Sequence, residues 1–230
     1  MFTQTHLLVG AAVFARPGNR TVALAGLIGA LVPDTDVWAM FVIERLRGAS
    51  GCEVFHYRYW EQPWTTLQIL LNSIPAYLAL NTLSVVGLLV PGLLPRRVAL
   101  IVMIFASSAL LHVGADFLLH HEDARAQWMP FTNWIFRSPV SYWDPRHYGQ
   151  YFLIFEIGLG LALAMLIGLR SRSKRVWVAV TILSLGYLGS ITAGLMSGTD
   201  HLRGPGSCEI LESNAVAKRA TSPSESIVAP

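Results

Sequence analysis

"VALIVMIFASSALLHVGADFLLHHED", residues 98–123, is the stretch that decides the fold. Its first fourteen residues carry no charge and nothing more polar than Ser. A helix that crosses a bilayer takes roughly 20 such residues at about 1.5 Å each, so residues 98–119 read as a membrane span. The last twelve residues then set His112, Asp116, His120, His121, Glu122 and Asp123 in and just beyond the end of that span. Ionisable groups inside an apolar span are costly and face a partner or a polar cavity. The two halves together predict a membrane helix that carries its chemistry at one end.

The rest of the chain fits that class. Apolar residues make up 53% of the 230 and charged residues 13%, against about 25% charged in soluble domains. The mean hydropathy is +0.48. The net charge of +3 comes without a long Lys/Arg run, which argues against nucleic-acid binding. The start, "MFTQTHLLVGAAVFA", lacks the basic region of a signal peptide. Cys52 and Cys208 form neither a CxxC motif nor a disulfide framework, and a single Cys52–Cys208 bridge is the one pairing open to them.

Further apolar spans read at 67–92 and 151–169, and a glycine-containing one at 176–198. Residues 7–15 and 22–33 are each short for a crossing, and "RPGNR" (16–20) separates them, which predicts a short helical hairpin. An amphipathic piece, "VWAMFVIERLR" (37–47), follows. The expected fold is an all-α polytopic membrane helix bundle: the N-terminal hairpin plus about four further transmembrane helices, one domain over 1–198, and a polar, disordered tail over 199–230. Arg16 and Arg20, Arg96 and Arg97, and Arg170, Arg172, Lys174 and Arg175 fall in turns without acids. By the positive-inside rule these turns are cytoplasmic. All seven histidines then lie toward the outer side.

His112, Asp116 and His120 stand at i, i+4 and i+8, one stripe of a helix. An imidazole and a carboxylate one turn apart supply two ligands to Zn²⁺, with Mn²⁺ or Fe²⁺ as alternatives. The purely structural alternative is a His112–Asp116 pair closing a helix end. "LVPDTDVW" (31–38) breaks an apolar helix at Pro33 and follows it with Asp34 and Asp36. These acids either cap the next helix or clamp a cation. His6, in "THLLVG", comes level with Asp34 if the first two helices fold back on each other. "FHYRYW" (55–60) and "YWDPRHYG" (142–149) add His56, Arg58, Asp144 and His147, with Arg58 the candidate binder of a phosphate or carboxylate. Glu156 lies near the outer end of its span as a general base or a partner for a ligating His, with Arg137 or Arg146 as structural partners instead. The aromatics of 120–150 suit the headgroup level, and this loop could lie over a site that admits a lipid. No GxGxxG, P-loop, GxSxG or HExxH motif competes.

The order "TH", "PDxD", "HxxxD" resembles the membrane-bound, metal-dependent hydrolases of the LexA-regulated inner-membrane type, over roughly residues 1–165. More distantly, it is similar to zinc-dependent phospholipase C. Where members of the membrane family carry an "HRGxTHS"-like stretch, this chain has "FHYRYW", with His56 in its place. The resemblance implies a bacterial inner-membrane protein and places His6, Asp34, Asp36, His112 and Asp116 at or beside a metal. The expected activity is hydrolysis of an ester or phosphoester on a membrane lipid or lipid-linked molecule. His6, Asp34, His112 and Asp116 are the expected ligands of Zn²⁺, with Asp36, Glu156 or His120 handling the proton. The alternative is non-enzymatic: a small transporter or a metal-binding scaffold built on the same groups.

Overall fold

The computed structural model describes residues 1–196 apart from 17 and 172, with side chains described as far as 189. The expected tail and Cys208 lie outside the described residues. Every regular element among them is helical. In chain order these are α1 (Thr3–Phe14), α2 (Arg20–Leu31), α3 (Thr35–Leu46), α4 (Gly51–His56), α5 (Trp64–Leu71), α6 (Ile74–Leu89), α7 (Arg96–Phe117), α8 (Gly149–Ser171) and α9 (Lys174–Met196). Single 3₁₀ turns at Val32–Asp34, Arg58–Trp60 and Pro145–His147 join some of them.

Four helical runs are long and apolar enough to cross a membrane: Arg20–Leu46, Trp64–Leu89, Arg96–Phe117 and Gly149–Ser171. The first differs from the sequence expectation. α2 stops at Leu31, as Pro33 predicts, but the two expected pieces join into one helical run through a 3₁₀ turn. Pro33 sits in that Val32–Asp34 turn, where a missing N–H costs little, and α3 starts directly after it. The expected single span 67–92 is two helices. The chain breaks at Asn72 and restarts at Ser73, whose hydroxyl accepts from the Ala76 amide as an N-cap, a contact worth about 1 kcal/mol.

The outer surface is apolar. Leu24, Ile28, Leu83, Tyr151, Ile154, Phe155 and Leu161 are all exposed, while Thr5, His6, Ser84, Ser108, His112 and Glu156 are buried. This inside-out pattern is what a lipid solvent selects.

Within the bundle, α7 packs on α2 and α6, and α1 packs on α2 and α8. Small residues let the first group approach closely. A Cβ on Gly10 would stand 2.7 Å from the Ala30 Cβ and 3.0 Å from the Ser108 hydroxyl. One on Gly29 would run into the carbonyl of Phe105 on α7. Ser108 donates its hydroxyl to the Gly26 carbonyl at 2.6 Å. The helix directions then sort the charges. The Arg20 end of α2, the Arg96–Arg97 end of α7 and the Lys174 end of α9 lie away from Asp34 and Asp116, and Arg170 reaches the Ala12 carbonyl near the far end of α1.

Residues 118–148 cover the other end without regular helix apart from one turn. Backbone bonds from Ser138 to His120 (3.0 Å) and from Tyr142 to Leu119 (3.0 Å) fold this loop back on its own start just beyond α7, and one from Ile74 to Gln127 (2.9 Å) ties it to α6.

Candidate metal centre

Three helical segments deliver the central residues. His6 projects from the first turns of α1, Asp34 ends the 3₁₀ turn after α2, and His112 and Asp116 occupy the last two turns of α7. One ligand atom each from His6, Asp34 and His112 can be chosen so that all lie within 4.8 Å of one another. Asp116 joins them: its Oδ1 is 3.0 Å from His6 Nε2 and its Oδ2 is 3.1 Å from His112 Nε2. Asp34 Oδ1 lies 3.5 Å from the same His112 nitrogen. The two imidazole rings stack at 3.5 Å, only 8° from parallel. The α-amino group of Met1 is 2.6 Å from Asp116 Oδ1.

The orientation of His112 is informative. Its Nδ1 lies 2.7 Å from the Ala30 carbonyl, which can only accept, so Nδ1 carries the proton. A backbone carbonyl in this place is a usual way to fix a ligating histidine. Nε2 is left buried and without a hydrogen bond, facing two carboxylates. A lone pair in that position is stable only with a cation between it and the acids, either a proton or a metal ion. Asp34 is oriented in turn. Its Oδ2 accepts from Thr3 Oγ1 at 2.6 Å, and Thr3 accepts from the Trp38 indole at 3.0 Å. Two imidazoles and two carboxylates form the mixed N/O donor set that zinc takes, and manganese and iron accept it as well.

His120 completes the surround. Its Nε2 is 3.6 Å from Asp116 Oδ1 and its Nδ1 2.8 Å from Asp123 Oδ2. Burial disfavours its charged form, but Asp123 and Asp116 outweigh burial and raise its pKa. The Asp123 carboxyl is held low despite its own burial, because His120 sits beside it.

The other expected residues are placed differently. The Asp36 carboxylate turns toward Arg125 Nη1 (3.5 Å) and Asn72 Nδ2 (3.4 Å). Glu156 is fully buried and accepts the Phe2 amide at 2.7 Å, with its second oxygen unbonded. Neither Arg137 nor Arg146 is its partner: they pair with Glu122 and Asp144. His56 ends α4 and is not part of the His6, Asp34 and His112 group. His147 stacks on His121 at 3.6 Å and contacts Asp144. Arg58, the expected anion binder, is instead tied to Glu53 (2.8 Å) and Glu61 (2.9 Å), with Glu44 at 3.9 Å.

Arg125 and Asn72 were not singled out by sequence reasoning. Together with Asp116, His120, Gln127 and Phe136 they line a small pocket at the edge of the cluster. An arginine in a polar loop reads as an anchor. Only the fold shows that this one is buried. No protein-family model, curated protein or solved structure matches the chain.

Proposed function

We propose that this protein is a membrane-embedded, metal-dependent hydrolase acting on an ester or phosphoester of a membrane-associated substrate, with its site at the non-cytoplasmic face of a bacterial inner membrane. The observation that carries the reading is the convergence of His6, Asp34 and His112 from three helical segments, with the buried His112 Nε2 facing carboxylates and lacking a hydrogen bond. His6, Asp34, His112 and Asp116 would hold the ion, Zn²⁺ before Mn²⁺ or Fe²⁺. A divalent cation there supplies Lewis acidity, lowering the pKa of water and polarising the ester.

The chain's own groups would move the protons. In hydrolysis a water oxygen bonds to the ester centre, the bond to the alcohol breaks, one proton leaves the water and one returns to the departing alkoxide. His120, between Asp116 and Asp123, is placed to carry that proton. Glu156 steadies the first residues of α1 through the Phe2 amide. Asp36 is engaged with Arg125 and Asn72 and acts through them.

One observation favours hydrolysis over transport. Deeper in the bundle the polar side chains satisfy one another or the backbone: Asn81 with Ser107, Ser84 with the Leu80 carbonyl, Ser108 with the Gly26 carbonyl. Along α7 no Asp, Glu, His, Lys or Arg stands between Arg97 and His112.

The test is metal content of the full chain purified in detergent. Wild type is expected to hold about one ion per chain, and a His112→Ala/Asp116→Ala variant far less. Equal, negligible metal in both would refute the reading.

A further inference from the structure

We propose that Arg125 is the oxyanion-binding residue of this site, so that the substrate is a phosphoester whose phosphate oxygens meet its guanidinium. The inference rests on the hydrolase reading and narrows its substrate from esters in general to phosphoesters. Arg125 is anchored by Tyr59 and has Asp36 as its ion-pair partner. Its Nε donates to the Tyr59 hydroxyl at 3.0 Å, and the Tyr59 ring lies beneath it with its centroid 5.7 Å from Cζ. Among the described residues neither Nη makes a hydrogen bond, and the nearest carboxylate oxygen, Asp36 Oδ2, is 3.5 Å from Nη1 without hydrogen-bond geometry.

A guanidinium has five N–H donors in a planar fork, and here one is used. The side chain is 8% exposed, so the unbonded N–H groups of the fork reach only a little solvent. Asp36 at 3.5 Å balances its charge, and the N–H groups left without hydrogen-bond partners are available to the oxygens of a bound anion.

The position of the fork gives it a use. Arg125 lines the same pocket as Asp116 and His120. An anion lying against it therefore stands next to the group that would hold the metal and the group that would carry the proton. Asn72 adds a buried and unsatisfied atom on this wall, its Oδ1, an acceptor suited to a phosphate hydroxyl or an attendant water. A carboxylic ester is uncharged in its ground state and gains a single oxyanion only in its tetrahedral intermediate, whereas a phosphoester is anionic through the whole reaction and matches the fork with two oxygens at once. The surrounding acids Asp34, Asp36, Asp116 and Asp123 would repel that phosphate. Arg125 and the bound cation together reverse the sign locally. The loop 118–148 that carries Arg125 presents Phe131 and Trp134 outward, which suits a phosphate carried on a lipid.

The experiment measures the affinity of inorganic phosphate for the full chain in detergent, with acetate as the comparison anion, alongside metal content. Wild type should bind phosphate and discriminate against acetate. Arg125→Lys, which keeps the charge and loses the fork, should weaken phosphate about tenfold or more with metal content unchanged. Arg125→Met/Asp36→Asn removes both charges together, so that no carboxylate is left buried and unpaired, and should abolish phosphate binding in a folded protein. If wild type binds no phosphate, or Arg125→Lys binds it as tightly as wild type, the proposal is wrong. A chain without metal whose phosphate binding still depends on Arg125 would overturn the hydrolase reading alone.

Discussion

Gly29→Ala tests the link between helix packing and the proposed metal centre. Gly29 lies on α2 one residue before Ala30, whose carbonyl fixes His112. A methyl group there would run into the Phe105 carbonyl oxygen and stand 3.0 Å from both the Phe105 carbonyl carbon and the Ser108 Cβ, where unstrained carbon contacts are about 3.5–4.0 Å. Backbone cannot rotate away as a side chain can, so α7 must back off from α2 by about 0.5–1 Å. His112 and Asp116 ride on α7, whereas Asp34 and Ala30 belong to the α2 side. Metal–ligand distances tolerate only about 0.2 Å. The expected loss is about 10–100-fold in metal affinity, equal to about 1.4–2.8 kcal/mol, with an overpacking cost of about 1–3 kcal/mol in stability. The assay is competitive chelator titration of the purified chain, with thermal unfolding alongside. Gly158→Ala is the control, since a Cβ there meets nothing within 4 Å. If Gly29→Ala binds metal and unfolds like wild type, the α2–α7 contact does not set the site and the reasoning fails.

Two other variants separate neighbouring groups from the centre. Arg58→Ala should leave both metal content and phosphate affinity at wild-type levels, because Arg58 spends its guanidinium on Glu44, Glu53 and Glu61. A loss of phosphate binding comparable to that of Arg125→Lys would move the anion site to Arg58. Asp144 is held at a pKa of about 2: burial opposes this, but hydrogen bonds from Arg146 and His147 prevail. Its folded pKa lies below the unfolded value, so its stabilisation is present above about pH 4 and fades as the pH falls toward about 2. Asp144→Asn should therefore lower the unfolding temperature near neutral pH, and the gap to wild type should narrow between about pH 5 and about pH 2.5. A gap that stays constant across that range would exclude the carboxylate as its source.

The membrane class was legible because lipid imposes a simple pattern: long apolar runs, with charge confined to their ends. The run ending at His112 and Asp116 was located to within two residues. The grouping of His6, Asp34 and His112 was readable from helix rise alone, since it needs only that the first two helices return to the level at which α7 ends. What could not be read was side-chain direction at the break after Pro33. Asp34 and Asp36 stand two residues apart, and the local pattern treats them alike. The turn sends Asp34 toward His112 and Asp36 toward Arg125. Nor does sequence separate Arg58 from Arg125. Both follow aromatic or histidine-rich stretches, and their roles depend on which carboxylates the fold has already committed to them.

The same geometry explains why the cluster belongs at a helix end and not at mid-bundle. Close approach of α1, α2 and α7 depends on Gly10, Gly26, Gly29 and Ser108, and residues that small bring no ligands. The ligands must come from positions where the helices stop: the first turns of α1, the turn after α2, the last turns of α7. There the backbone supplies what a cation site also needs, an uncommitted carbonyl such as that of Ala30 to orient an imidazole. The glycine stripe and the His/Asp set therefore act as one device. The stripe fixes the spacing of three helices, and that spacing decides whether His6, Asp34 and His112 come within reach of one another or remain three separate polar ends.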